Sequence, residues 1–170
     1  MGNNILKGKK GIIFGALDER SIAWKVAEQC HAEGATFVLT NAPIALRMGT
    51  INKLAESTQS EVIGCDVSVD ADMENLVKQS MLKLGGKLDF VLHSVGMSLN
   101  IRKKNPYTGL NYDFMHKTLD ISAISFHRLL QTCYKIDALN EWASVLGLTY
   151  IASQRVFPDY SEMAESKALL

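Results

Sequence analysis

Gly11-Ile12-Ile13-Phe14-Gly15, then Ala16-Leu17-Asp18-Glu19-Arg20, then Ser21-Ile22-Ala23-Trp24-Lys25-Val26-Ala27-Glu28-Gln29-Cys30, is the stretch that decides the fold. A short apolar run closed by glycine reads as a buried strand, because a strand covered on both faces has no polar side to show. Positions 22, 23, 26, 27 and 30 are apolar and share one face of a helix. Gly34 stops that helix, and Thr36-Phe37-Val38-Leu39-Thr40 is the next strand. Strand, turn, amphipathic helix and strand make a right-handed crossover unit with a parallel strand pair.

The alternation continues along the chain. Pro43 opens a second helix that runs to Ser57, and Glu61-Val62-Ile63-Gly64-Cys65 is the third strand. Ser68 or Asp70 caps a third helix carrying Met73, Leu76, Val77 and Met81. Residues 88–93 form the fourth strand, followed by a polar loop over 98–111, a fourth helix over 113–139, a fifth strand over 143–150 and a fifth helix over 161–170. The expected fold is an α/β doubly wound parallel sheet with helices on both faces, Rossmann-like, in a single domain spanning residues 1–170. The last helix, Met163-Ala164-Glu165-Ser166-Lys167-Ala168-Leu169-Leu170, has no glycine, proline or polar tail to close it. The expectation is therefore a C-terminally incomplete domain whose last strands lie beyond Leu170.

Composition narrows the function classes. The 170 residues are 47% hydrophobic, enough for one buried core. Eighteen basic and eighteen acidic residues balance, which argues against a nucleic-acid partner. Cys30, Cys65 and Cys133 are odd in number and form no CxxC, so they read as reduced core thiols of a cytoplasmic protein. No His/Cys/Asp cluster has metal-ligand spacing, and no metal is expected. Nor is there a signal-peptide core or an apolar run of the roughly 20 residues that cross a membrane.

In open parallel sheets, ligands sit beyond the carboxyl ends of the strands, at the switch in strand order. Gly15 ends the first strand, and Ser21 starts a helix whose free N–H groups and dipole favour a pyrophosphate. There is no GxGxxG, and an ordinary strand-to-helix turn accounts for this loop equally well. Asp66-Val67 ends the third strand; Asp66 suits an adenine amino group, or equally caps the next helix. His93-Ser94-Val95-Gly96 ends the fourth strand: Gly96 lets a ribose approach, and His93 reads as structural, as do His31, His116 and His127. Thr40-Asn41-Ala42-Pro43 holds neither the acid that binds a ribose 2′-hydroxyl nor the arginine that accepts a 2′-phosphate, and Arg47 is one helical turn further on. NADH and NADPH both remain open. Past the fifth strand, Tyr160 and Lys167 are seven residues apart, two helical turns, so the spacing predicts that both project from one face. A surface Tyr and Lys on an amphipathic helix fits that pair as well.

Taken in order, these pieces resemble the short-chain dehydrogenase/reductase superfamily, and specifically its divergent branch, the bacterial enoyl-acyl-carrier-protein reductases. Common members of the superfamily use Tyr-x3-Lys with an upstream serine. This chain has Gly147 at the serine position and Tyr-x9-Tyr-x6-Lys at Tyr150, Tyr160 and Lys167. The first loop is similar to the enoyl reductase pattern Gly-Ala-x4-Ser-Ile-Ala, and His93-Ser94-Val95-Gly96 stands where other members carry Asn-Ala-Gly. Asp120-Ile121-Ser122 also resembles its family counterpart.

The resemblance implies hydride transfer from NADH or NADPH to a trans-2-enoyl-acyl-carrier-protein thioester in type II fatty-acid synthesis. Its implied catalytic residues are Tyr150, Tyr160 and Lys167. Gly15, Ser21, Ile22, Asp66, Val67, Val95 and Lys167 would hold the cofactor, and Ser98 would lie where substrate meets backbone. A homotetramer is implied too, and Ile121, Ile124, Phe126 and Leu130 on the fourth helix fit either its interface or intrachain packing. Arg102-Lys103-Lys104 suits an acidic carrier protein or a solvated loop. Where members using NADH often carry glutamine, this chain has Ala42. A carbonyl reductase of the same superfamily, which the Tyr-x6-Lys spacing argues against, and a non-catalytic nucleotide-binding scaffold are the rival readings.

Overall fold

The computed structural model describes residues 2–170. Five parallel strands, β1 (Lys10–Phe14), β2 (Thr36–Asn41), β3 (Glu61–Gly64), β4 (Leu88–His93) and β5 (Leu139–Gly147), form one sheet in the order β3-β2-β1-β4-β5. The order reverses between β1 and β4, and this switch point locates the crevice into which both adjoining loops open. The expected doubly wound, Rossmann-like sheet is what forms.

Successive residues of β1 serve opposite faces. Ile12 and Phe14 pack with Met73, Leu76 and Val77 of α4 (Asp70–Leu84) and with Leu129 and Cys133 of α7 (Ser125–Lys135). Ile13 packs with Ala23, Trp24 and Ala27 of α1 (Ile22–Ala32) and with Ile51 and Leu54 of α3 (Ile51–Thr58). Each fully buried side chain of this size contributes about 1.5–3 kcal/mol, so the two layers are what hold the sheet. Cys30, Cys65 and Cys133 are free and buried in them, and burial pushes the Cys65 and Cys133 thiols up to about 12 and about 11.

Several boundaries differ from the sequence reading. The expected helix from Pro43 is two, α2 (Pro43–Leu46) and α3, because Gly49 at φ 72° turns the chain between them. α4 is capped by neither Ser68 nor Asp70: Val69 is its N-cap, and Asp70 is its first residue. The loop over 98–111 holds two short pieces, α5 (Leu99–Arg102) and a 3-10 turn at Tyr107–Gly109.

The long fourth helix is α6 (Tyr112–Leu119), a π-helical stretch at Asp120–Ile124, and α7, which stops at Lys135 rather than 139. It stops in a Schellman-type closure. Ala138 N–H reaches the Cys133 carbonyl, with Asp137 at φ 52° in the position glycine usually takes. An aspartate there carries no stop signal in sequence. β5 accordingly begins at Leu139 and ends at Gly147, so Tyr150 lies beyond the strand. The last helix, α8, is Glu162–Leu169.

Candidate active site

At the switch point, Gly15 sits at φ 87° with its N–H on the Thr40 carbonyl at 3.0 Å. A Cβ there would stand 1.9 Å from the Ser94 carbonyl oxygen, so the loops after β1 and β4 close on each other only because position 15 is glycine. The β1–α1 loop is held from within. The Ser21 hydroxyl donates to the Asp18 carbonyl at 2.7 Å and accepts from Leu17 N–H at 3.2 Å. It closes the loop instead of pointing at a ligand, while Ile22, the first residue of α1, is 64% exposed beside the helix's free N–H groups. Asn41, which the sequence reading passed over, bridges the loop to β2: its amide donates to the Ala16 carbonyl at 3.0 Å.

After β3, Asp66 does not cap α4, whose N-cap is Val69; it shapes the turn ahead of that helix. Its Oδ1 accepts from the Ser68 N–H at 3.0 Å and the Ser68 hydroxyl at 2.6 Å, closing a turn ahead of α4, and its own N–H donates to Asp72. Among the described residues, Oδ2 accepts no hydrogen bond. The Val67 side chain is buried, and its carbonyl accepts from Arg128 Nη1 at 2.8 Å.

The far end of the crevice is built on the ends of β4 and β5. Lys167, on α8, is 9% exposed, and its ammonium donates to the Leu148 carbonyl at 2.7 Å. Burial holds its pKa below the ordinary lysine value. A Cβ on Gly96 would stand 3.8 Å from the Lys167 ammonium, 3.9 Å from Met163 Cε and 4.0 Å from the Ser122 hydroxyl, so the Gly96 backbone lies beside that ammonium and hydroxyl. Ser122, from the π-helical stretch, accepts from Met97 N–H at 3.0 Å. A π-turn in a long helix re-aims side chains that a regular helix would place elsewhere. The same stretch leaves Ser125 2.8 Å from His93 Nε2. Val95 packs on the core beneath.

Tyr150 and Tyr160 face each other with ring centroids 5.1 Å apart, and Tyr150 also packs on Phe157 at 5.3 Å. The sequence expectation that Tyr160 and Lys167 share a helix face is corrected here. Tyr160 precedes α8, whose N-cap is Ser161. The backbone explains it: Asp159 and Ser161 on either side have φ of 61° and 50°, which ends any helix. Strained φ values on two non-glycine residues flanking one tyrosine are a feature concentrated at functional sites. Burial first, and Tyr150 second, raise the Tyr160 phenol above its ordinary value, so it stays protonated at neutral pH.

Ser98 is buried, and its hydroxyl donates to Glu162 Oε1 at 2.6 Å while accepting from Ile101 N–H. Glu162, absent from the sequence reading, is fully buried. The same oxygen also accepts from Thr118 at 3.0 Å and Asn100 at 3.2 Å, while Oε2 has no partner. Burial pushes its pKa up, but the hydrogen bonds, led by Ser98, outweigh that and hold it below the ordinary carboxylate value. Asn100 in turn holds Asn105 and both backbone groups of Asn111. The loop after β4 is thus tied to the start of α8. A cavity of about 670 Å³ lies beyond this tie, lined by Tyr107, Val156, Phe157, Pro158 and their neighbours; Tyr150, Tyr160 and Lys167 do not line it.

Of the residues expected at the site, Gly15, Val95 and Lys167 meet at the β1/β4/β5 ends, with Tyr150 and Tyr160 paired beyond them. Asp66 and Val67 lie at the β3 end. The arrangement can hold an elongated dinucleotide along the strand ends, and offers a buried ammonium on α8 and, just before that helix, a phenol that stays protonated. Gly15, which no Cβ could replace without collision, and Gly96, beside the Lys167 ammonium, are what make this end of the sheet fit such a group.

Known proteins share the sequence pattern and the fold. Residues 15–170 match the family model described as Enoyl-(Acyl carrier protein) reductase. A Rhizobium meliloti protein named enoyl-[acyl-carrier-protein] reductase [NADH] 2 is 33% identical over 99% of this chain and 62% of its own length. The crystal structure of FabI from Alistipes finegoldii superposes with a TM-score of 0.96 at 55% identity, over 98% of this chain and 64% of that one. The reductase of Anaplasma phagocytophilum, solved with NAD, gives 0.89 at 30% identity, over 100% of this chain and 64% of that one. The chain therefore spans about three fifths of the length of its relatives. A match that runs unbroken from the Gly15 turn to the end of α8 establishes that this chain belongs to the enoyl-acyl-carrier-protein reductase family.

Proposed function

We propose that residues 1–170 are the dinucleotide-binding and catalytic unit of a cytoplasmic, homotetrameric reductase. It uses NADH, with NADPH the alternative, to reduce the trans-2 double bond of enoyl-acyl-carrier-protein thioesters in fatty-acid synthesis. The observation that carries this reading is the buried Lys167 ammonium beside Gly96, with the Tyr150–Tyr160 pair beyond it. NADH is favoured because the similar proteins of Rhizobium meliloti and Escherichia coli are named for it and the Alistipes finegoldii structure is a FabI–NADH complex. When bound, it supplies a hydride to the β-carbon of the enoyl thioester.

The residues of the chain do the rest. Gly15 and the N-terminus of α1, at Ser21 and Ile22, receive the pyrophosphate. Asp66 Oδ2 accepts from the adenine amino group, beside Val67. Lys167 and the Val95–Gly96 backbone hold the ribose next to the nicotinamide. As hydride reaches the β-carbon, negative charge builds on the thioester oxygen, and the protonated Tyr160 hydroxyl donates a hydrogen bond to it. A donor preset where charge develops lowers the barrier without reorganising. Addition of a proton at the α-carbon completes the reduction. Tyr150 flanks the thioester, and the Met97–Ser98 backbone limits the acyl side.

The test is oxidation of NADH or NADPH with crotonyl thioester by the natural full-length polypeptide, and by its Tyr160→Phe variant. Turnover with the thioester but not with ketones is expected, and the variant should lose about 10²-fold in kcat with a small change in cofactor affinity. No turnover of any enoyl thioester would overturn the assignment. Unchanged kcat in the variant would point instead to a non-catalytic scaffold.

A further inference from the structure

Arg128, on α7, has its guanidinium spread over three partners from three elements. Nη1 donates to the Val67 carbonyl at 2.8 Å, Nε to Asp70 Oδ1 at 2.6 Å, and Nη2 to Asp120 Oδ1 at 3.0 Å. The side chain is 18% exposed. Burial works against its charge, but Asp120 and Asp70 outweigh it and hold the pKa above the ordinary arginine value. The turn it grips, residues 66–69, is otherwise made of Asp66 contacts: Ser68 on Oδ1, Val69 N–H on the Asp66 carbonyl, and Asp66 N–H on Asp72. Three carboxylates, Asp66, Asp70 and Asp72, crowd this short segment, and Arg128 is the cation that ion-pairs with it among the described residues.

We infer that Arg128 is a positioning residue for adenine recognition: it pins the Val67 carbonyl and the start of α4 so that Asp66 Oδ2 faces the adenine amino group. This rests on the placement of adenine at Asp66 given above. Geometry favours an arginine, because one planar fork serves a backbone carbonyl and two carboxylates at once, which a lysine point charge does not. The fork also ties the 66–69 turn to Asp120 at the head of the π-helical stretch, whose Ser122 braces Met97. One side chain therefore sets the adenine end of the crevice against the helix that shapes the nicotinamide end.

The natural full-length protein, Arg128→Ala and Arg128→Lys are compared for binding of NADH and of reduced nicotinamide hypoxanthine dinucleotide by nicotinamide fluorescence, with melting temperature as the check on folding. In the hypoxanthine analogue a carbonyl replaces the adenine amino group, so the bond to Asp66 is missing. Wild type should prefer NADH by about tenfold, the worth of a hydrogen bond to a charged acceptor. Both variants should lose that preference to within about twofold, while their affinity for the hypoxanthine analogue stays close to wild type, because only the coupled contact is removed. Retention of the preference in both variants would overturn the inference, and so would an equal loss of affinity for both dinucleotides, which is what a merely structural arginine predicts. Wild type binding neither dinucleotide would overturn the functional proposal itself, and this inference with it.

Discussion

His93 is fully buried, with its ring 5.8 Å from Phe14 and 5.5 Å from Phe126, Nε2 on Ser125, and Nδ1 without a partner. Burial first, and the Lys167 charge second, push its pKa down to about 4 from 6.5. The folded protein therefore keeps a neutral imidazole where the unfolded chain takes up a proton. Stability is lost as pH falls from 6.5 toward 4, by about 3 kcal/mol over the window. Urea midpoints between pH 7 and 4.5 should show this slope, and His93→Gln should flatten it. At Gly15 the constraint is steric. Gly15→Ala drives a methyl onto the Ser94 carbonyl at a positive φ, and should cost about 3 kcal/mol in chemical denaturation. Both residues were singled out in the sequence, His93 for structure and Gly15 for a close approach, because an apolar strand ending in glycine or histidine is a local pattern.

At the scale of elements, α8 is held to α5 and α6 by one carboxylate. Glu162→Ala would leave the Ser98 hydroxyl and one Asn100 N–H without their acceptor, while Thr118 keeps the Phe114 carbonyl, and should cost about 3 kcal/mol. Glu162→Gln, which keeps a carbonyl oxygen, should cost about half as much. Equal losses in the two variants, measured by urea unfolding, would mean that packing rather than the shared acceptor matters. Because the folded pKa of Glu162 lies below its ordinary value, its contribution is present at neutral pH and is lost on acidification through that folded value. Element boundaries were legible where they carried a glycine, as at Gly34. The end of α7 was illegible, because Asp137 takes a left-handed conformation there and that residue type announces no stop.

At the scale of the whole molecule, the structure divides the four apolar residues of the long helix. Ile121 packs on the core, and Phe126 lies against His93 and Gly147; Ile124 and Leu130 stay exposed, joined by Tyr134. If the proposed homotetramer forms through this face, Ile124→Glu together with Leu130→Glu should lower the sedimenting mass without changing the fold. An unchanged mass would remove this helix from the interface. No helix among the described residues is long and apolar enough to cross a membrane, and none of their His, Cys, Asp and Glu side chains cluster as a metal site.

By itself, the sequence determined the alternation of strand and helix, the glycines at the strand ends, and the Tyr150, Tyr160 and Lys167 spacing. Each of these is written in neighbouring residues, through periodicity or the conformational freedom of one position. Only the tertiary structure decided that Tyr160 stands before α8 rather than on it, that the Ser21 hydroxyl is spent inside its own loop, that Glu162 ties Ser98 to α8, and that Arg128 ties the 66–69 turn to Asp70 and Asp120. Glu162 meets Ser98 across 64 positions and Arg128 meets Val67 across 61. A hydrogen bond at such separation leaves no mark on the residues beside it in the chain, so it exists only once the sheet has brought the elements together.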